Sequence, residues 1–118
     1  MPLWGISSGL ELFAKFIASD PHTVLTNHKS YEVSIPINLL DEVVVEDTKM
    51  FTDLGKDASL FMGEPITQHN HEYGISPETF NTDKNLGVVF KPLTYSVSEY
   101  NQKFVSAMEG ISLPIYAV

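Results

Sequence analysis

A chain of 118 residues with fifteen acidic and seven basic side chains carries a formal charge of −8, and its length fits one domain, residues 1–118, able to bury a core without staples. The absence of cysteine excludes disulfides, thiolate metal sites and thiol nucleophiles. The bases are all lysine and are scattered, so neither the average field nor bidentate arginine contacts favour a nucleic acid partner.

The hydrophobic fraction of 43% argues against disorder. No apolar run approaches the roughly 20 residues that span a bilayer. The opening "MPLWGISSGLELFAKF" lacks the basic start of a secretory signal. Cytoplasmic placement, or a virion if the chain is viral, is expected, with no membrane partner.

In chain order, the first expected element is a helix near Ser8 to Ser19. Leu10, Phe13 and Ile17 recur at helical spacing, and Glu11 precedes Lys15 by four. Leu12 and Phe16 add a second apolar stripe, which implies burial on two sides. Pro21 stops the helix. "YEVSIPIN" alternates apolar and polar residues from Tyr31 to Asn38 and predicts a strand, with Pro36 marking an edge or a bulge. "EVVVED", residues 42–47, reads as a second β-rich run. Residues 48–62 fit a helix weakened by Gly55 almost as well as a turn at "DLGKD" followed by a strand "ASLFM".

"ITQHNHEYG", residues 66–74, reads as a polar strand, and "GISPETFNTDKN" as a loop of turn formers. "LGVVFKPLTY", residues 86–95, predicts a strand interrupted at Pro92. "SVSEYNQKFVSAMEG" predicts a C-terminal helix. Ser96 and Glu99 match a capping box, with Ser98 as an alternative cap, and Val97, Tyr100, Phe104 and Met108 form one stripe. Gly110 stands where that helix would end. "SLPIYAV" gives a last strand. The fold class expected is α+β: a small domain with a mixed or antiparallel sheet, an N-terminal helix and a C-terminal helix.

The candidate chemistry is sparse. On a regular strand His69 and His71 share one face, as a metal site requires. His-x-His after a glycine is similar to the first metal motif of cupin barrels. The following acids, Glu72 and Glu78, stand at other spacings, and no histidine follows His71, so that family is not assigned. His22 and His28 are the only other imidazoles, both upstream among turn-like residues. The simpler expectation for the pair is a polar strand surface without metal. Asp41, Glu42, Glu46 and Asp47 flank the valines and suit gatekeepers against aggregation. Asp53 and Asp57 lack the ligand density of a calcium loop. No G-x-S-x-G elbow, Walker loop or G-x-G-x-x-G fingerprint is read in the chain; "GISSGL" has glycines at Gly5 and Gly9, but no lysine follows and no strand is expected before it, so it reads as a turn with Ser7 or Ser8 as helix cap.

The chain ends are apolar where ends are usually polar and loose. Trp4 and Tyr116 belong to types enriched at interface hot spots, and with Leu12 and Phe16 they make the expected interface. The function these features suggest is a non-catalytic structural or protein-interaction subunit that self-associates or joins a larger assembly, such as a viral or phage particle. No catalytic, cofactor-binding or metal residue is assigned. The alternative is a small metal-dependent enzyme using His69 and His71.

Overall fold

A computed structural model describes residues 2–6, 8–44, 47–52, 67–98 and 101–118, with the backbone alone over 27–35 and 67–72. In chain order the elements are β1 (Leu3–Gly5), α1 (Ser8–Ile17), β2 (Thr26–Ile35), β3 (Asn38–Leu39), β4 (Thr67–Gly74), α2 (Thr79–Thr82), α3 (Leu86–Val89), β5 (Phe90–Val97), β6 (Lys103–Gly110) and β7 (Ile115–Ala117). The class is mixed α+β. Five strands form one sheet in the order β1-β7-β6-β5-β3, and β2 with β4 forms a two-stranded ribbon. β1 runs parallel to β7, while the pairs β7–β6, β6–β5 and β5–β3 are antiparallel. No helix among the described residues is long and apolar enough to cross a membrane.

The first helix forms where its pattern places it. Leu10 and Ala14 are buried, Phe13 and Ile17 pack partly against the same core, and Glu11 and Lys15 sit in the first and last turns, where each complements the helix dipole. Leu12 and Phe16 remain on the outer side, 64% and 85% exposed. The principal core joins Leu10, Ala14, Ile75, Leu86, Phe90 and Met108, and a smaller one gathers Val43, Phe51, Leu93 and Ala107.

The expected C-terminal helix is replaced by a hairpin. Residues 103–110 are β6, paired with β5 from Phe90↔Gly110 to Val97↔Lys103. Asn101, with φ of 60°, supplies the left-handed turn residue. Ser98 N–H donates to the Gln102 carbonyl at 2.8 Å, and the Ser98 hydroxyl accepts from Gln102 N–H at 3.2 Å. The supposed helix cap therefore closes a strand turn. β6 lies between β5 and β7, and Phe104, Val105, Ala107 and Met108 are all buried. A strand buried on both faces has no clean two-residue alternation. Its near-continuous apolar run contains the Phe104–Met108 spacing that imitates a helix.

Other expectations shift by shorter distances. "LGVVF" begins as the one-turn helix α3 before β5 starts at Phe90. Pro92 does lie at an irregularity: Pro92 faces Met108 and Thr94 faces Ala107, which leaves Leu93 as an extra residue. A second slip leaves Ser106 extra on β6, and its hydroxyl bonds that of Thr94 at 2.8 Å. Pro36 separates β2 from β3, and β3 is an edge strand. The "EVVVED" run forms no strand over its described residues. Asp41 and Glu42 lie in a turn, Val43 is buried and Val44 exposed, and Val45 and Glu46 lie outside the described residues, as do residues 53–62 of the ambiguous segment.

Two carboxylates fasten the elements together. Glu109, buried in β6, accepts backbone N–H groups from Lys49 at 3.0 Å and Met50 at 2.9 Å. The Lys49 ammonium donates to the carbonyls of Gly110 and Ile111 at 2.8 and 3.3 Å. Asp83 accepts from Ser19 N–H, just beyond α1, and from Asn85 and Leu86 N–H at the start of α3, each at 3.0 Å. The Ser19 N–H bond, joined by those of Leu86 and Asn85, holds the Asp83 carboxyl well below the usual carboxylate range.

Phe104 is 1% exposed, so Phe104→Ala should cost about 3–5 kcal/mol through lost burial and the cavity left behind, measured by urea denaturation. The pH dependence of Asp83 has a fixed sign. Its folded value is depressed, so its stabilisation is fully present above the unfolded value of about 3.9 and is lost as pH falls towards the folded one. Asp83→Asn should lower Tm by a constant amount from about pH 7 to 5, and the difference should shrink below about pH 4.

Candidate functional site

Two parts of the molecule bring chemistry-bearing residues to defined positions. The first is the junction of β1 and α1. β1 ends at Gly5, α1 starts at Ser8, and Gly9 N–H donates to the Ile6 carbonyl at 2.9 Å. A strand does precede this stretch, against the sequence expectation. The reading that the chain has no G-x-S-x-G elbow is also corrected: Gly5-Ile6-Ser7-Ser8-Gly9 fits that pattern, with β1 ending on its first glycine and α1 beginning at Ser8. Ser7 itself lies outside the described residues. The signal that finds this junction in sequence is the apolar pair Leu3–Trp4 before the first glycine. A three-residue strand is too short for alternation to reveal it.

The first glycine is required by packing. A Cβ on Gly5 would stand 2.6 Å from Phe13 Cε2 and 2.9 Å from the Gly9 carbonyl. Phe13 in turn stacks on Phe90, with ring centroids 6.2 Å apart. The helix therefore lies closer to the strand end than any side chain there would allow.

The second part is the β2–β4 ribbon. His69 is in register with Val33 and His71 with Ser30. Between Asn27↔Tyr73 and Ser30↔His71, β2 carries His28 and Lys29 against Glu72 alone. Between Ser30↔His71 and Val33↔His69, Tyr31 and Glu32 oppose Asn70 alone. These are two successive β-bulges, a device that twists a ribbon and recurs beside active sites. The topology thus brings His28, distant in sequence, to the register interval beside His71 and Glu72. His22 stays outside the ribbon, exposed in the turn before it, with its N–H donating to Asp20 Oδ1 at 3.2 Å.

The expected interface residues divide. Trp4 and Tyr116 meet within the chain: they pair in register across β1 and β7, and their rings stack at 4.8 Å. Leu12 and Phe16 lie on the outer side of α1. Asp41, Glu42 and Asp47 are exposed, Glu46 lies outside the described residues, and so do Asp53 and Asp57. The buried acid, Glu109, is occupied as a clamp on the 49–50 backbone.

The glycines of the junction yield opposite expectations. Gly5→Ala places a methyl under 3.0 Å from Gly9 backbone and should cost about 1–3 kcal/mol by overpacking. A Cβ on Gly9 meets nothing within 4 Å, so Gly9→Ala, in the first turn of α1, should be neutral or stabilise by up to about 1 kcal/mol. Paired urea titrations of the two variants check the sign and the size.

No family model matches the sequence. Over nearly its whole length the chain is nevertheless similar to curated proteins. It is 32% identical over 117 residues to gamma-glutamyl hydrolase B of Dictyostelium discoideum, covering 99% of this chain and 33% of that protein. It is 30% identical over 118 residues to gamma-glutamyl hydrolase of Rattus norvegicus and 27% identical to that of Homo sapiens, covering 99% of this chain and 36% of each relative. The chain therefore spans about one third of the length of these relatives. Their names are those of enzymes. This overturns the expectation of a non-catalytic structural subunit or particle component, which rested on the lack of catalytic motifs together with the apolar termini, an edge-strand candidate and a first helix apolar on two sides.

Proposed function

We propose that this chain is the nucleophile-bearing part of a hydrolase acting on γ-glutamyl amide bonds. The observation that carries the proposal is the similarity to gamma-glutamyl hydrolases over 99% of the chain. The β1–α1 junction supports it from the chemical side. Hydrolysis of an amide needs a nucleophile, a base to take its proton, donors for the oxyanion and an acid for the leaving amine. With no cysteine in the chain, Ser7 in Gly5-Ile6-Ser7-Ser8-Gly9 is the residue proposed as nucleophile.

The steps balance as acyl transfer to water. Ser7 Oγ attacks the γ-carbonyl carbon and its proton passes to an imidazole. The tetrahedral oxyanion collapses, and the C–N bond breaks as the same proton is delivered to the amine. Water then releases glutamate from the ester and regenerates the hydroxyl. The N-terminus of α1 suits the developing negative charge, because the first helical N–H groups lack intrahelical partners and carry the positive end of the dipole. Histidine titrates nearest neutrality and is the usual proton carrier. His71, beside the double bulge of the ribbon, is the imidazole proposed for that role.

The test places the whole chain where its matching segment lies in the Dictyostelium relative. The folded chimera should release amine from a γ-glutamyl anilide and not from its α-glutamyl isomer. Ser7→Ala should abolish turnover. His71→Ala should lower kcat by about 10²–10⁴, and His22→Ala, in the exposed turn, should leave it within about twofold. A folded chimera without γ-glutamyl hydrolysis rejects the proposal.

A further inference from the structure

The turn between β6 and β7, residues 110–114, is held by more than its own backbone. The Lys49 ammonium donates to the carbonyls of Gly110, Ile111 and Leu113 at 2.8, 3.3 and 3.4 Å. Carbonyl oxygens drawn together at a tight turn repel one another, and a cation among them offsets that repulsion. Lys49 comes from a segment distant in sequence. Glu109, buried at the last position but one of β6, holds that segment by accepting the N–H groups of Lys49 and Met50. Gly110 closes the turn from the other side. A Cβ there would stand 2.5 Å from the Leu113 carbonyl oxygen, so the chain folds back more tightly than a side chain would permit.

This turn leads into β7, and β7 holds β1. β7 has three residues and meets β6 at two register pairs, Met108↔Ala117 and Glu109↔Tyr116. Pairing of that length is marginal by itself. β1 ends the sheet and pairs there with β7 alone. Leu3 N–H donates to the carbonyl of Pro114, the last residue of the turn, at 2.9 Å, and the Gly5 carbonyl accepts from Val118 N–H at 3.0 Å. A continuous series of contacts therefore runs from Lys49 through the turn and β7 to Gly5, which stands two residues before Ser7 in sequence.

We propose that Lys49, held by Glu109, is a positioning residue: its ammonium fixes the 110–114 turn, the turn sets β7, and β7 places β1 and the start of the glycine–serine junction. The consequence for catalysis rests on the hydrolase reading above, and the placement of β1 does not.

Trp4 is the one tryptophan of the chain and stacks on Tyr116, so the tryptophan band of the near-ultraviolet circular dichroism reads the seating of β1 against β7. Lys49 is at an exposed position, and Lys49→Met takes nothing from either core. It should lose most of that band while the far-ultraviolet spectrum stays as it is. Gly110→Ala, which opens the same turn, should do likewise. Lys49→Arg keeps a cation and should keep the band. Lys84→Met removes an exposed charge elsewhere and should leave the band unchanged. A wild-type band in folded Lys49→Met and Gly110→Ala overturns the proposal. So does a band lost only together with the far-ultraviolet signal, because Lys49 is then a support of the whole fold. In the chimera, Lys49→Met should lower kcat by about 10–10²-fold through misplacement of the nucleophile, with KM within about twofold, and Lys49→Arg should restore kcat. An unchanged kcat in a chimera that does hydrolyse overturns the catalytic part. A folded chimera without turnover rejects the hydrolase reading, and the Trp4 band still decides whether the turn places β1.

Discussion

How closely α1 can approach the end of β1 governs the arrangement of everything around the junction. Gly5 leaves room for the Phe13 ring and for the Gly9 backbone. Phe13 passes that contact on to Phe90 at the start of β5. On the other side, β1 is fixed by its parallel register with β7, which Trp4 and Tyr116 reinforce by stacking. Gly5 and Gly9 thus stand where a helix that rests on the core meets a strand that rests on the far end of the chain. Neither support is local in sequence, which is why the stretch reads as an ordinary turn and cap until the fold is known.

The parts of the fold legible in sequence are those whose signals are local. α1 declares itself through one buried stripe and a proline stop, β7 through its apolar run, and β4 through a polar run of strand length. The β5–β6 hairpin is illegible for a physical reason. Its strands are shielded on both faces, so the two-residue period is lost. Its turn rests on Asn101 in the left-handed region and on a Ser98 side chain whose chemistry suits a helix cap equally well. Phe104 is recognisable as a core residue under either assignment, because burial follows from its size and apolarity and not from the element that carries it. Glu109 shows the reverse. Its clamp on Lys49 and Met50 spans 60 and 59 residues, and no pattern near Glu109 announces it.

The polar clamps also explain how short elements persist. α2 and α3 are four residues each, too short to hold a helix by propagation alone. Asp83 lies between them and satisfies the N–H groups that open α3 while gripping Ser19 beyond α1. One carboxylate so couples the end of the long helix to the start of a short one. Its own ionisation is favoured by the donors it gathers, as expected for a carboxylate accepting several backbone bonds.

The ribbon and the junction share a foundation even though they belong to different sheets. β4 runs into Ile75, which is fully buried, and the Ile75 carbonyl accepts from Val105 N–H on β6 at 2.8 Å. Val24 and Leu25, just before β2, join the same core as Leu10 and Ala14 of α1. Thr26 and Gly74 are in register at the base of the ribbon, so its two strands leave that core together. The register of a strand pair is specified weakly where no buried face selects it. Here the anchored base and the two bulges supply the selection: each extra residue on β2 commits the pairing beyond it, and a one-residue slip would lose both His71↔Ser30 and His69↔Val33. The register of the ribbon is therefore set by backbone pairing that starts in the core on which α1 rests.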